Sequence, residues 1–187
     1  MDARQRSHEQ VLVLMCQAGD HDAFACLVER YHAPLKYYIR RLLDSPEIAD
    51  DVLQTVWLKA LRGIKRLRQA GAFRAWVYCI ARNEVFQQLR RDHKWTEVQE
   101  SLPPVEDEEE EPFTTDATRI HAALAQLTPA HREVLVFKFL EDMSYEEIAA
   151  IVGCGLGTVR SRIHYAKHAM RRILKEPNHD QRQESPQ

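Results

Sequence analysis

The sequence predicts an all-α protein made of two small helical domains joined by a flexible acidic linker. Only 6 of its 187 residues are glycine, and its 20 Ala and 18 Leu outnumber its 13 Val and 9 Ile, a composition that favours helices over strands. Residues 96–118 contain nine acidic residues and no Lys or Arg, whereas the flanking segments are mildly basic. In both flanking segments the apolar residues recur at helical spacing.

The acidic segment sets the domain boundaries. It contains three prolines and the run Glu106 to Glu111, with too few apolar residues to offset the entropy of ordering. A linker of about 24 residues spans about 27 Å when relaxed and roughly 80 Å when extended, so it does not fix the separation of the domains. The predicted units are a first domain at 8–94, a linker at 95–118, a second domain at 119–176 and a polar tail at 177–187.

Several classes of protein are excluded. The longest apolar stretch, Val11 to Cys16, is far short of the ~20 residues that cross a bilayer, and no signal-peptide pattern precedes it, so we expect a cytoplasmic protein without membrane insertion. Its four cysteines lack a CxxC pair, which predicts free thiols. There is no HExxH, nucleophile motif or glycine-rich phosphate loop, so we expect neither an enzyme nor a cofactor.

Three helices are predicted in the first domain. Asp20 can cap a helix with apolar positions from Phe24 to Leu42, which Pro34 should bend or interrupt. Ser45 followed by Pro46 starts a second helix. Its expected continuous apolar stripe is Ile48, Leu53, Trp57, Leu61 and Ile64. A third helix, from about Ala72 to Arg91, should bury Phe73, Val77, Ile80, Ala81, Val85 and Leu89.

Aromatic and basic residues alternate along the third helix, from Phe73 to Arg91. Planar side chains stack on unpaired bases and guanidinium groups neutralise phosphates, so this pattern suits single-stranded nucleic acid. The pattern is also that of an ordinary helix with buried aromatic residues and a solvated arginine face, and the helix alone does not separate the two interpretations.

The second domain has the pattern of a helix-turn-helix. Thr128 and Pro129 begin a helix with Val134, Leu135, Phe137 and Leu140 on its buried side. Ser144 and Glu147 form a capping box for a short helix from Tyr145 to Val152, and a glycine-containing turn follows. The last helix begins near Thr158, with Val159, Ile163, Ala166, Met170 and Ile173 inward and its basic and polar residues outward or at the flanks. Such a helix can enter the major groove of DNA, although a basic exposed helix without a ligand has the same pattern.

Three motifs together resemble the extracytoplasmic-function (ECF) group of bacterial RNA polymerase sigma factors. Residues 49–60 look like the group's polymerase-clamp-binding helix, and residues 73–83 with Leu89 to Arg91 look like its promoter-melting helix. Residues 127–135, 144–149 and 157–162 are similar to its second domain. The resemblance covers roughly residues 12–93 and 119–175. It implies a non-enzymatic protein that binds core RNA polymerase, through the β′ clamp and the β subunit, and promoter DNA.

The resemblance also implies roles for individual residues. The residues expected to face the polymerase clamp are Asp50, Asp51, Gln54 and Leu58. Those expected near the minus-ten element are Arg74, Trp76, Arg82, Asn83, Gln87, Arg90 and Arg91. Those expected at the minus-thirty-five element are Thr158, Arg160, Ser161, Arg162, His164, Tyr165 and Lys167. Gln87, Tyr165 and Gly155 depart from the residues usual in the group, which affects the DNA sequence preference.

Other interpretations remain. An anti-sigma factor is a further expected partner, because members of the group are commonly inhibited by one. The run Glu106 to Glu111 either shields the basic surfaces of the free protein or is a solvated tether. His164 and His168 lie one turn apart, but no third metal ligand accompanies them. The alternative function is a stand-alone helix-turn-helix regulator that binds duplex DNA without polymerase.

Overall fold

The computed structural model describes residues 3–92 and 116–175, which form helices and turns without a strand. This confirms an all-α protein with two helical domains. The acidic run Glu106 to Glu111, most of the predicted linker and the polar tail lie outside the described residues. The helices are α1 (Ala3–Gln17), α2 (His21–Leu42), α3 (Pro46–Gly63), α4 (Phe73–Arg91), α5 (Ala117–Gln126), α6 (Pro129–Leu135), α7 (Tyr145–Val152) and α8 (Leu156–Lys175).

Three short turns connect these helices. Two 3-10 turns, Ile64–Arg66 and Ala70–Ala72, lead from α3 to α4. A π turn, Val136–Leu140, directly follows α6. The cysteines are free thiols, and no helix of the described residues is long and apolar enough to span a membrane.

Side-chain caps begin the helices where the sequence predicted them. The Asp20 carboxylate accepts a hydrogen bond from the backbone N–H of Ala23 at 3.0 Å, and Ser45 and Thr128 cap α3 and α6 in the same way. The capping box of α7 is complete, because Ser144 and Glu147 each accept a hydrogen bond from the backbone N–H of the other. Gly153 ends α7 with φ of +75°, in the left-handed region that favours glycine.

Pro34 does not interrupt α2, one of the two outcomes predicted for it. The helix continues for two further turns to Leu42, although proline removes one backbone donor and costs about 3 kcal/mol in a helix interior. Leu35, Tyr38 and Ile39 follow the proline and are fully buried. Their burial stabilises the helical conformation by more than Pro34 costs, since each large buried side chain contributes about 1.5–3 kcal/mol.

The inward face of α3 also differs from the prediction. The helix buries Ala49, Val52, Leu53, Val56 and Ala60, whereas Trp57 is only half-buried and Leu61 is 43% exposed. The small side chains of alanine let α3 approach its neighbours α2 and α4 closely. Ile48, Trp57 and Leu61 of the predicted stripe therefore lie at the flank of the helix, whereas Leu53 and Ile64 are buried as predicted.

Four further residues differ in burial from the prediction. Ile80 of α4 is half-buried, while Tyr78 and Phe86 of the same helix are buried, because the second domain packs against α4. Leu140 is 42% exposed because the π turn changes the direction in which the side chains after α6 point. Ser161 and Lys167 of α8, predicted to lie outward or at the flanks, are 2% and 6% exposed. Helix α8 packs against α5, α6 and α7, and this wide contact encloses residues beside its apolar stripe.

The buried residues of the two domains form one continuous hydrophobic cluster. The Phe137 ring stacks on the Tyr38 ring, with centroids 4.8 Å apart and planes 16° apart, and meets the Tyr78 ring edge-on at 5.7 Å. All three side chains are fully buried. The sequence predicted two separately folded halves, but the π turn inserts Phe137 of the second domain between α2 and α4 of the first.

Candidate functional sites

A groove between α2 and α3 contains three of the four residues predicted to bind polymerase. Asp50, Gln54 and Leu58 follow one another at intervals of four residues along α3, and all are exposed. The groove has a volume of about 520 Å³, and its apolar wall includes Phe24, Trp57 and Leu61. Asp51, the fourth predicted residue, is exposed just outside the groove.

Charged residues lie at this groove and beside it: Lys36 and Asp50 line it, and Glu47 precedes them at the start of α3. The Lys36 ammonium lies 2.9 Å from the Asp50 carboxylate, and its hydrogen bond lowers the pKa of Asp50. Hydrogen bonds from its own backbone N–H and from Ser45 lower the pKa of Glu47, at the start of α3. The groove therefore combines an apolar wall with the Asp50 carboxylate, a composition suited to a partner helix with apolar and basic residues.

The residues of α4 predicted to contact the minus-ten element fall into two groups. Asn83, Gln87 and Arg90 are exposed along one face, with Arg91 beside them. Arg74, Trp76 and Arg82 are half-buried. The exposed group is available to a nucleic acid as the structure stands.

Arg74 and Arg82 bind groups of the second domain. The Arg82 guanidinium donates to the Glu133 carboxylate, with Nε 3.1 Å from Oε1. Arg74 donates to the backbone carbonyl oxygen of Glu141 and lies 3.7 Å from the Glu147 carboxylate. Both arginines therefore bind acidic side chains or a carbonyl oxygen of the second domain. The resemblance had predicted that they contact DNA.

Trp76 packs inside the first domain. Its ring centroid is 5.9 Å from that of Phe73, and its indole lies against Gly63 at the end of α3. The side chain thus holds the start of α4 against the end of α3.

The seven residues predicted to contact the minus-thirty-five element differ in exposure. Arg160 is exposed, while Thr158, Arg162, His164 and Tyr165 are half-buried. Ser161 and Lys167 are buried, as described above. The His164 and His168 rings are 4.5 Å apart, but the described residues contain no group of three metal-ligating side chains.

Sequence reasoning missed the buried carboxylate of Glu133. Its side chain is fully buried, and it accepts hydrogen bonds from the Tyr38 hydroxyl at 2.8 Å and from Arg82. Burial raises the pKa of Glu133, although Arg82 and Tyr38 oppose the shift. The signal in the sequence was an acidic residue directly before the apolar run Val134 to Phe137.

Glu141 was missed as well. Its carboxylate accepts a hydrogen bond from the Tyr78 hydroxyl, and burial raises the pKa of Glu141. No periodicity marks Glu141, which follows the π turn. We call the set Tyr38, Tyr78, Arg82, Glu133, Phe137 and Glu141 the domain interface.

Comparisons with known families agree with this two-part organisation. The Sigma-70 region 2 family matches residues 27–96, and the Sigma-70, region 4 family matches residues 117–170. The chain is 31% identical over 183 residues to the RNA polymerase sigma-H factor of Pseudomonas aeruginosa, covering 90% of this chain and 95% of that protein. It is 34% identical over 176 residues to the ECF RNA polymerase sigma-E factor of Escherichia coli K12, covering 87% and 92% respectively.

Two solved structures have a similar fold. CnrH in complex with the cytosolic domain of CnrY gives a TM-score of 0.69 at 22% identity, covering 89% of this chain and 97% of that one. The sigma factor RpoE of Bartonella quintana, in complex with the anti-sigma factor NepR, gives a TM-score of 0.65 at 27% identity, covering 82% and 97%.

Proposed function

The chain belongs to the ECF group of the sigma-70 family, and we propose that this sigma factor binds polymerase and promoter DNA through three separate surfaces. As a sigma factor it binds core RNA polymerase and directs promoter recognition and transcription initiation. Sigma factors are non-enzymatic initiation factors, so the polymerase supplies the chemistry of RNA synthesis. We place this activity in the cytoplasm, with the polymerase.

The groove between α2 and α3 is the proposed polymerase-binding surface. Asp50, Asp51 and Gln54 supply polar contacts to the β′ clamp, and Leu58 adds an apolar contact at the groove. The proposal depends on the exposure of these four residues beside the apolar wall of the groove, which includes Phe24 and Trp57. A further contact of this sigma factor with the β subunit is also proposed.

Helix α4 is the proposed minus-ten surface. Asn83, Gln87 and Arg90 to Arg91 form its exposed part and would contact bases and phosphates of the opened strand. Arg74 and Arg82 would join them when released from their partners in the second domain. Trp76 would position this helix through its packing on Phe73 and Gly63.

Helix α8 is the proposed minus-thirty-five surface. Thr158, Arg160, Arg162, His164 and Tyr165 retain exposure along the start of the helix, where they would meet base edges and phosphates of the major groove. Ser161 and Lys167 are too buried to reach DNA without a rearrangement, so we do not propose that they contact DNA in this conformation.

An anti-sigma factor is a proposed partner. RpoE of Bartonella quintana was solved with the anti-sigma factor NepR, and its fold resembles that of this chain. An inhibitor that covers the groove between α2 and α3 would compete directly with polymerase.

In vitro transcription with purified core polymerase on a library of genomic fragments tests the proposed function. We expect the wild-type protein to create new, discrete transcript starts and Gln54→Ala and Arg162→Ala to reduce them. Thr55→Ala, at the neighbouring position, is the matched control for Gln54→Ala. The Thr55 hydroxyl donates a hydrogen bond to the backbone carbonyl oxygen of Asp51 within α3. Absence of new starts with the wild-type protein would contradict the proposal.

The transcription assay, combined with a measurement of duplex DNA binding by the free protein, separates a stand-alone helix-turn-helix regulator from a sigma factor. Such a regulator binds duplex DNA tightly without polymerase and does not need Gln54. Tight duplex binding by the free protein, with Gln54→Ala fully active, would favour the regulator.

A further inference from the structure

We propose that the first domain binds an anionic lipid surface peripherally, through an apolar ridge on α1 and the cations beside it. The ridge consists of Val11, Leu14 and Met15, which are 52%, 57% and 42% exposed. These residues are spaced by three and four positions, so they adjoin one another on one side of the helix. They belong to none of the surfaces proposed above for polymerase or promoter DNA.

Helix α1 is apolar on two sides. Its inward side buries Leu12, Val13 and Cys16 in the hydrophobic core. A helix at the surface of a folded domain ordinarily carries polar residues on the side opposite the core, but the ridge occupies that side here. Core packing therefore explains the inward apolar residues of α1 and leaves the ridge for another partner.

The charge on the outward side of α1 is positive. Arg4 and His8 are exposed, and they continue the line of Val11 and Met15 toward the start of the helix at helical spacing. Glu9, the only acidic residue of α1, faces the core and is 3% exposed. The outward side of α1 therefore combines an apolar half with a basic half and carries no acidic residue.

Further cations lie beside the ridge, on residues 64–72, which join α3 to α4. The side-chain amide of Gln17 on α1 donates hydrogen bonds to the carbonyl oxygens of Ile64 at 3.0 Å and Leu67 at 2.8 Å. Gln17 lies one turn from Leu14 on α1, so this segment runs close to the ridge. The segment contains no Asp or Glu. Its exposed cations are Lys65, Arg66 and Arg68.

This combination fits the boundary between lipid headgroups and acyl chains. Interfacial helices bind there by inserting apolar side chains, while Lys and Arg residues attract the anionic headgroups. The ridge supplies the apolar contribution, and Arg4 with residues 64–72 supplies the charge. A protein bound in this way lies on the membrane surface and does not span it.

Nucleic acid and a second copy of the chain fit this surface less well. Phosphates would pair with the cations but would leave the ridge in water. A stable dimer buries roughly 800 Å² on each partner, and the ridge offers only three side chains of one short helix. The cations beside the ridge would also repel those of a second copy. A lipid surface is the partner that uses both the apolar and the basic parts.

Cosedimentation of the full-length protein with lipid vesicles tests the proposal. One set of vesicles contains equimolar phosphatidylglycerol and phosphatidylcholine, and the other contains phosphatidylcholine alone. The double variant Leu14→Ser, Met15→Ser removes most of the ridge without changing the charge. Leu156→Ser is the matched control, because Leu156 is 41% exposed at the start of α8 in the second domain. Urea unfolding followed by circular dichroism measures the stability of each variant.

We expect the wild type to bind the anionic vesicles, to bind phosphatidylcholine alone more weakly, and to dissociate as the salt concentration rises. The double variant should bind the anionic vesicles about tenfold more weakly than Leu156→Ser, since it loses apolar side chains that would enter the lipid. If the double variant proves unstable, Leu14→Ser alone decides by the same comparison.

Two results with the vesicles would overturn the proposal. One is that the wild type does not bind the anionic vesicles. The other is that the ridge variant and Leu156→Ser bind them equally, because the attraction would then be purely electrostatic and the ridge would stay in water.

Two further measurements detect other occupants of the ridge. Sedimentation equilibrium without lipid shows whether the wild type self-associates; self-association that the double variant abolishes, without vesicle binding, would assign the ridge to a second copy and contradict the proposal. The transcription assay contains no lipid, so the double variant should create the same transcript starts as the wild type. Loss of those starts in a stably folded double variant would assign the ridge to polymerase or promoter DNA instead.

Discussion

The indole of Trp76 occupies the space beside Gly63, where a Cβ atom would lie 2.9 Å from Cζ2 of the ring. Gly63→Ala should therefore destabilise the protein by about 1 kcal/mol, because overpacking costs ~1–3 kcal/mol and the better helix propensity of alanine returns up to ~1 kcal/mol. Urea unfolding measures the change in the free energy of unfolding.

Gly155→Ala is the control for this substitution, since nothing lies within 4 Å of a Cβ at Gly155. Replacing Trp76 by Leu in the Gly63→Ala background should recover part of the loss. A Gly63→Ala protein as stable as Gly155→Ala would show that the indole moves aside without cost.

Leu61 tests the apolar wall of the groove. Its side chain is 43% exposed in the free protein, so Leu61→Ser should change stability little. If polymerase buries it, the substitution should weaken binding to core polymerase about tenfold, since burial of a leucine contributes ~1.5–3 kcal/mol. Fluorescence anisotropy of labelled protein with core polymerase measures the affinity. Leu14→Ser, on α1 and 57% exposed, should leave the affinity unchanged.

The buried carboxyl of Glu133 gives stability a pH dependence. Burial raises its pKa, with Tyr38, Arg82 and Arg162 facing it, so the folded state retains this proton at a pH where the unfolded state has lost it. The contribution of Glu133 is fully present below the ordinary pKa of 4.5 and is lost as the pH rises through the raised value.

Relative to Glu133→Gln, the wild type should therefore lose stability as the pH rises above 4.5 in urea unfolding experiments. Glu29 is exposed, so Glu29→Gln is the control substitution. Its free energy of unfolding should change with pH in the same way as that of the wild type. If the free energies of unfolding of the wild type and Glu133→Gln differ by a constant amount as the pH rises, the pKa of Glu133 is not raised.

Arg132 holds the end of α5 against α6 and α2. Its guanidinium, 8% exposed, donates to the carbonyl oxygens of Ala125 at 2.6 Å, Leu127 at 3.1 Å and Arg41 at 3.0 Å. The single ammonium of Arg132→Lys cannot reach all three acceptors, so we expect a loss of about 2 kcal/mol in unfolding free energy. Arg172→Lys, at an exposed position of α8, should cost far less when measured in the same way.

Local signals predicted most of the helix boundaries. Asp20, Ser45, Thr128 and the Ser144–Glu147 pair cap helices where expected, because a cap depends on residues only a few positions apart. The stripe Val159, Ile163, Ala166 and Met170 was also assigned correctly to the buried side of α8.

Contacts between distant segments could not be predicted in this way. The sequence contains two possible apolar stripes in α3, and only the packing of its neighbours selects the one with Ala49 and Ala60. In the same way, nothing near Glu133 in the sequence indicates that Arg82, 51 residues away, will be its partner. Burial of Ser161 and Lys167 likewise depends on three helices closing around α8. The roles of the surface residues in binding remain predictions.

The π turn Val136–Leu140 makes the spacing of this short segment as important as its composition. Deleting one residue here would restore regular α-helical geometry and rotate every following side chain by about 100°. Length changes should therefore be far less tolerated between Val136 and Leu140 than conservative exchanges of one apolar residue for another. Natural variation within this segment should accordingly consist of substitutions rather than insertions or deletions.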